Sequence, residues 1–536
     1  MEIADFEKPC KVWSEQGFFV NYKNRSLYSK YNPSKSILTL VNNQNILPGT
    51  LVLAISPVLD YGLKELEEKL PKDSFIFAVE MEDSLAQFIK DEETLKSLTK
   101  TTLILKNEAY DFPKIIHQKP WAGKFRRVIR LDFSGGAAFH KEFYDRLQES
   151  LVLSIKQYWA NRVTIQKFGK KWHKNIFKNL SILEKTICID SFIGKIEKPL
   201  VVIGAGKSAV DGIQFIKKHP DDFFILCVDT SFSLLDQNHI TPNGIVLEEA
   251  QNAIREAFIG ADRKNIVVFA GLSSVSHPIK NPNKLCYFAT RFAETDFWEN
   301  LSKQEGFPYE MPPYGSVGLS AVNLALSFRI DNSIPVFLYG LDFSFEAGTT
   351  HASGTTAHKR LLRTNKKNRS FENYSCYAPH ALSTQDKFGF TTYTLPVLKT
   401  YRDLLEGYFS GTENLWDCGK SGLKLGLPLI SKEDAEKLCS NGSAKNNTIW
   451  ELENTCNSFK EFLENERKAL TELRNLLSGE TELKGAELSD KIRQLAEKRE
   501  YLYLHFPDGY RFTMEISFLK RLRAEIDCFL KVLCRN

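Results

Sequence analysis

Between Leu200 and Phe343 the chain repeats one arrangement four times: a short, unbroken apolar run that stops at small or polar residues. Leu200–Ile203 runs into Gly204-Ala205-Gly206-Lys207-Ser208, and Phe223–Val228 into Asp229-Thr230-Ser231. Ile266–Ala270 runs into Gly271-Leu272-Ser273-Ser274, and Ile334–Tyr339 into Gly340-Leu341-Asp342. A strand with one wet face alternates polar and apolar residues, so runs without alternation read as strands of a parallel sheet covered on both faces. Such sheets bind ligands outside the carboxyl ends of their strands. The four endings therefore define one candidate site before any single motif is weighed.

The rest of the chain supports an α/β fold with a helical tail. Leu51–Ile55, Phe75–Glu80, Leu103–Leu105 and Val128–Leu131 read as strands of a first, Rossmann-like domain over residues 1–150, with a helix near 61–70. Residues 151–195 read as a helical connector, and 196–440 as a doubly wound α/β domain that binds a nucleotide. Residues 346–392 form a long polar segment, a length usually met in functional lids or in disordered segments. Over 441–536 the apolar residues Ile449, Leu452, Cys456, Phe459, Leu463, Leu470, Leu473 and Leu477 recur at helical spacing, and two more helices are expected near 486–504 and 513–533. A packed helical bundle is the simpler use of that stripe, a partner-binding surface the other.

The turn Gly204–Ser208 brings backbone N–H groups and a helix N-terminus to one point, an arrangement that suits phosphate. It is neither a full GxGxxG nor a P-loop, and a tight turn without ligand would look the same. Gly315 and Ser316 open a second apolar helix, 319–328, in the same manner. Gly204, Gly206, Ser208, Asp229, Thr230, Ser231, Gly271, Gly315 and Ser316 are thus the candidate nucleotide contacts. His351, in Thr349-Thr350-His351-Ala352-Ser353-Gly354, lies in a polar loop, where it is poised to donate to a phosphate or accept a proton from a hydroxyl, or is simply exposed. Asp342 either orients that imidazole or caps a turn. Lys359, Arg360, Arg363, Lys366, Lys367 and Arg369, with Tyr374 and Tyr377, make the following segment basic and aromatic, which suits an acidic substrate or a solvated face.

Several classes of function are disfavoured. Lys plus Arg number 71 against 66 for Asp plus Glu, too small and diffuse an excess to indicate nucleic acid. No stretch approaches the roughly 20 apolar residues of a membrane span, and the acidic start lacks a signal-like apolar core. The ten cysteines show no CxxC pair, so reduced thiols in a cytoplasmic protein are expected, with no metal centre.

The order of these blocks resembles the motility accessory factor family. Val201–Ala209 is similar to its strand–GxGPSL element, with Lys207 where the family has proline. Thr241–Glu249 is similar to its proline-acidic stretch, with Glu249 where it has aspartate, and the resemblance implies Glu249 as a further nucleotide contact. Gly315–Leu326, Gly340–Ser344 with Thr350–Gly354, and Asn414–Gly419 resemble its later blocks, and Leu27–Pro33 and Asn161–Asn175 its N-terminal ones. The family's N-terminal Gly-rich turn is replaced by Ser56-Pro57-Val58, which argues against a ligand in the first domain.

The resemblance implies a sialyltransferase-like central domain and transfer of a nonulosonic (sialic-acid-like) sugar from a CMP-activated donor to Ser or Thr of flagellin. It implies His351 as base, no required cofactor and no metal, in keeping with the lack of a DxD pair in this region. Flagellin would be the partner. The central domain is shared with 6-hydroxymethylpterin diphosphokinase-like proteins, so such a kinase is one alternative. A non-catalytic flagellin-binding assembly factor is the other.

Overall fold

The computed structural model describes residues 8–91, 93–118, 120–218, 220–346, 349–364, 381–440 and 456–534. The chain divides into two compact units, Met1–Lys167 and Phe168–Asn536. The division falls inside one helix, Lys141–Leu180. The boundary expected at 150/151 therefore lies within a continuous helix.

In the first unit β1 (Cys10–Ser14), β2 (Gly17–Tyr22) and β3 (Arg25–Ser26) form an antiparallel meander. A parallel sheet follows, built from β4 (Thr50–Ile55), β5 (Phe75–Glu80), β6 (Thr101–Leu105) and β7 (Arg127–Asp132), in the order β6-β5-β4-β7. All of β4 is buried, as its unbroken apolar run requires. Its end is tied back to the neighbouring strand by a side chain. Ser56, buried with φ +50°, donates to Glu80 Oε2 at 2.6 Å, and Gly136 packs so tightly on the Ser56 hydroxyl that a Cβ there would lie 2.2 Å from it.

The second unit is a doubly wound α/β structure. β8 (Leu200–Ile203), β9 (Phe224–Val228), β10 (Gly244–Leu247), β11 (Val267–Gly271), β12 (Leu285–Thr290) and β13 (Glu310–Met311) run outward in sequence order. β14 (Val336–Tyr339) returns to the other side of β8, followed by β15 (Leu415–Asp417). The order is β13-β12-β11-β10-β9-β8-β14-β15, every pair parallel. The direction of winding reverses between β8 and β14, the point at which such folds leave a crevice.

Side chains alternate between two cores. Val201, Ile203, Ile225 and Cys227 enter one, and Leu200, Val202, Phe224 and Leu226 the other. Both faces are thus covered, which is why the strands read as unbroken apolar runs. The tail helices Lys460–Ser478, Gly485–Glu497 and Ile516–Leu533 contribute to the first of these cores. Leu470, Leu473, Leu476, Phe518 and Phe529 are buried with Phe177, Phe297 and Trp298. The apolar stripe is therefore turned inward, with Leu476 rather than Leu477 completing its buried part; Ile449 and Leu452 lie outside the described residues. Among the described residues no helix is long and apolar enough to cross a membrane.

Candidate functional site

The residues singled out from sequence collect at the carboxyl edge of the central sheet, but they divide into two groups with different work. The first group, at the β8/β14 switch point, is filled by the protein itself. Gly204 donates its N–H to Tyr339 O at 2.8 Å and Gly206 to Gly340 O at 2.8 Å. A Cβ on Gly204 would lie 2.3 Å from Gly340 O. Gly340 sits at φ +71°, a conformation only glycine adopts without strain.

Helix Ala209–Ile216 starts here, and its N-terminus faces an internal anion. Asp342 Oδ2 accepts the Ser208 N–H at 2.8 Å and the Ser421 hydroxyl at 3.2 Å, while Oδ1 accepts the Ser208 hydroxyl. Ser208 Oγ in turn accepts the Gly340 N–H at 2.8 Å. A Cβ on Gly206 would meet the Asp342 carboxylate at 2.7 Å. The phosphate cradle expected at Gly204–Ser208 is thus occupied by a side chain that is 4% exposed. Burial raises the Asp342 carboxyl to about 6, with the Ser208 hydrogen bonds opposing. Ser231 belongs to this closed group, its hydroxyl donating to Ile203 O and Val228 O, both at 2.9 Å.

The second group lines the edge from β9 to β11. Asp229 is buried and accepts the Thr230 N–H and hydroxyl at 2.5 and 2.8 Å. Burial lifts its carboxyl to about 6. Glu248, at the end of β10, accepts the Ser320 hydroxyl at 2.8 Å, and burial raises it to about 7 with the Asp229 charge adding to the rise. The sequence argument singled out the neighbouring Glu249, which is exposed and accepts the Gln251 N–H at 2.8 Å. The signal for Glu248 was the strand itself: a residue following four buried ones stands at the sheet edge, but Gly244–Leu247 was not recognised as a strand.

Gly271 lies against this acid, a Cβ there meeting Glu248 Cγ at 3.7 Å. Helix Val317–Phe328 begins beside it, and the Ser316 side chain makes no capping bond to it. Gly315, at φ +70°, packs on Tyr401. The Glu248 charge also raises the Tyr314 and Tyr401 hydroxyls, after the larger effect of burial.

His351 reaches the same edge through its loop. The Ala352 N–H donates to Ala205 O at 2.9 Å, and Ser233 and Gln237 donate to Gly354 O at 2.8 and 3.2 Å. The His351 Nδ1 partner is the Thr350 hydroxyl at 3.2 Å, not Asp342. Burial lowers the imidazole below 6.5, and neighbouring His358 adds to this. It is a neutral base at physiological pH.

The basic segment is partly neutralised where it is described. Arg360 and Arg363, on helix Thr356–Thr364, pair with Glu256, and Lys207 pairs with Glu346. Lys366, Lys367, Arg369, Tyr374 and Tyr377 lie outside the described residues. Among the described residues no three His, Cys, Asp or Glu side chains come together in a way that would hold a metal ion.

A family model described as 6-hydroxymethylpterin diphosphokinase MptE-like matches residues 170–348. That span runs from the end of helix Lys141–Leu180 through β14 and so contains most of the carboxyl edge just described. An uncharacterized protein of Treponema pallidum (strain Nichols) is 29% identical over 558 residues, covering 98% of this chain and 95% of its own length. The structure of MAf glycosyltransferase from Magnetospirillum magneticum AMB-1 aligns over 98% of this chain and 91% of its own, with a TM-score of 0.55 and 14% identity. By these likenesses the central segment is similar to the diphosphokinase-like family, and the chain shares its fold with a glycosyltransferase.

Proposed function

We propose that the protein is a glycosyltransferase that moves a nonulosonic sugar from a CMP-activated donor to a Ser or Thr hydroxyl of flagellin. The observation that carries the reading is the pairing of an uncapped helix N-terminus at Gly315–Ser316 with a carboxylate edge at Asp229 and Glu248, on a fold shared end to end with a glycosyltransferase. A helix start with free N–H groups favours a phosphate. An acid at the end of the strand beside the first Gly-rich turn accepts ribose hydroxyls in doubly wound nucleotide-binding folds, and Asp229 holds that position.

In the reaction, the acceptor oxygen attacks the anomeric carbon as the bond from that carbon to the phosphate oxygen breaks. The cytidine monophosphate leaves as an anion, which the N-terminal amides of helix Val317–Phe328 and the Ser316 hydroxyl stabilise. His351, held neutral by its burial, takes the proton from the acceptor hydroxyl. In this reading the developing charge is carried by backbone and hydroxyl donors.

The match to the diphosphokinase-like model favours one second reading, transfer of diphosphate from ATP to a pterin alcohol at the same edge. Both readings use the helix start as an anion site but differ in nucleotide. Incubating the protein with CMP-nonulosonate and flagellin, and separately with ATP and 6-hydroxymethylpterin, separates them. Mass addition on flagellin peptides supports the transferase. Pterin diphosphate formation without flagellin modification overturns it.

A further inference from the structure

At the opposite, amino edge of the central sheet the connector meets the first described residues of the tail through sulfur. Ile187 pairs with this edge, its N–H donating to Leu285 O at 2.8 Å. Cys456 is pinned there: its N–H donates to Thr186 O at 3.3 Å, its thiol lies 3.5 Å from Ile187 O, and the Thr186 hydroxyl donates to its sulfur at 3.8 Å. Cys188 follows directly in the chain, with its sulfur 3.6 Å from Asp190 Oδ2 and in hydrogen-bond contact with the Cys456 thiol. Both are free thiols and partly exposed. Neither belongs to the carboxyl edge on which the proposed chemistry rests.

We infer that Cys188 and Cys456 are a redox modification site, closing to an intramolecular disulfide when the protein meets a peroxide or a small-molecule disulfide. The geometry supplies both partners of the exchange: an attacking sulfur and, in contact with it, a resolving one. Contact with the Cys456 sulfur lowers the Cys188 thiol from its ordinary value, against the opposing effects of burial and of the Asp190 carboxylate. Lowering a thiol raises its thiolate fraction at neutral pH, and the thiolate is the attacking species. The Cys456 thiol donates its proton to Ile187 O at 3.5 Å, which leaves Cys188 as the attacking sulfur and Cys456 as the resolving one.

With hydrogen peroxide, Cys188 thiolate attacks one oxygen. The S–O bond forms, the O–O bond breaks, and the departing hydroxide is protonated to water. Cys456 sulfur then attacks the sulfenic sulfur, its proton leaving with the hydroxyl as a second water. Two thiols and one peroxide give one disulfide and two waters. With a small-molecule disulfide, Cys188 forms the mixed disulfide and Cys456 displaces the small thiol. The bond ties the start of the tail to the segment that leads into β8, and so staples the tail helices to the sheet they cover.

The test uses the full-length protein, treated first with hydrogen peroxide and, in a second sample, with oxidised glutathione, then alkylated and mapped by mass spectrometry. The expected result is a Cys188–Cys456 peptide as the first cross-link, reversed by dithiothreitol, at doses that leave Cys10 and Cys534 alkylatable. The cross-link is absent from Cys188→Ser and from Cys456→Ser. The wild-type map needs neither variant, so a variant that misfolds leaves the test intact. The inference is overturned if Cys188 accumulates as a sulfinic acid or glutathione adduct while Cys456 stays alkylatable. It is equally overturned if both thiols remain free at doses that oxidise Cys534.

Discussion

The Asp342 carboxylate accepts the Ser208 backbone N–H at 2.8 Å, across 134 residues of sequence, and so occupies the anion position at the start of helix Ala209–Ile216. The turn most suggestive of phosphate in the sequence is therefore closed by the protein's own acid. Replacing Asp342 by alanine strips partners from the buried Ser208 N–H and hydroxyl. Each buried donor left unpaired costs about 1–3 kcal/mol. We expect Asp342→Ala to lower the unfolding midpoint of the second unit sharply, measured by urea denaturation followed by tryptophan fluorescence, with Asp342→Asn recovering part of the loss.

Two glycines separate packing from ligand contact. A side chain at Gly204 meets Gly340 O at 2.3 Å, whereas one at Gly271 makes only ordinary contacts, the nearest 3.5 Å away on Phe288. Gly204→Ala is expected to destabilise by several kcal/mol and Gly271→Ala by about 1 kcal/mol or less. Gly271→Ala should still weaken CMP binding, because it fills space beside Glu248. Thermal unfolding and calorimetric titration on the same two samples check this. Equal stability of the two variants contradicts it.

The buried acids set a pH dependence of definite sign. Glu248 is raised to about 7 and Asp342 and Asp229 to about 6, against ordinary values of 4.5 and 3.8. Each native group binds a proton that the unfolded chain has released, so its contribution to stability is full below the ordinary value and is lost as pH rises through the raised one. We predict that Glu248→Gln removes part of the stability loss between about pH 4.5 and 7, an effect on the order of 2 kcal/mol. Denaturation curves at pH 5 and 8 read it as a smaller difference in the variant than in the wild type.

How much of this was legible in the sequence follows from range. β8, β9, β11 and β14 announced themselves because covered strands are unbroken apolar runs. β10 did not: it has four residues, opens on Gly244 and follows Pro242. Its glycine is demanded by the neighbouring strands, since a Cβ there meets Phe269 at 2.4 Å. β12, Leu285–Thr290, is as buried as its neighbours, yet Cys286 and Tyr287 blurred its pattern. The site divides in the same way. Local chemistry pointed to the strand ends, but no local pattern reveals that Asp342 reaches Ser208 or that Ser231 ties β8 to β9.

The tail's apolar stripe was open to two readings, and its burial makes deletion costly. Leu473 is fully buried, and Glu466 holds Tyr501 and Arg499 at 2.8 Å each. Leu473→Ala should cost about 2–5 kcal/mol. Removing residues 446–536 should leave the second unit unfolded rather than intact without its tail. Circular dichroism and calorimetry of the truncated protein decide this, and a cooperative transition like that of the full chain would contradict it.

His351→Ala should slow transfer about 10²–10⁴-fold while leaving CMP affinity nearly unchanged, because the backbone donors lie elsewhere. Since burial lowers the imidazole, the acid limb of the wild-type rate profile should fall below pH 6.5. Affinity lost in step with rate would instead make His351 a phosphate contact.

The most direct test of the central claim is calorimetric titration of the full-length protein with CMP and, in parallel, with ATP. The account predicts saturable binding of CMP at one site, weakened by Gly271→Val and retained in His351→Ala, and no comparable binding of ATP. Binding of ATP in place of CMP, or no nucleotide binding by a folded protein, would contradict it.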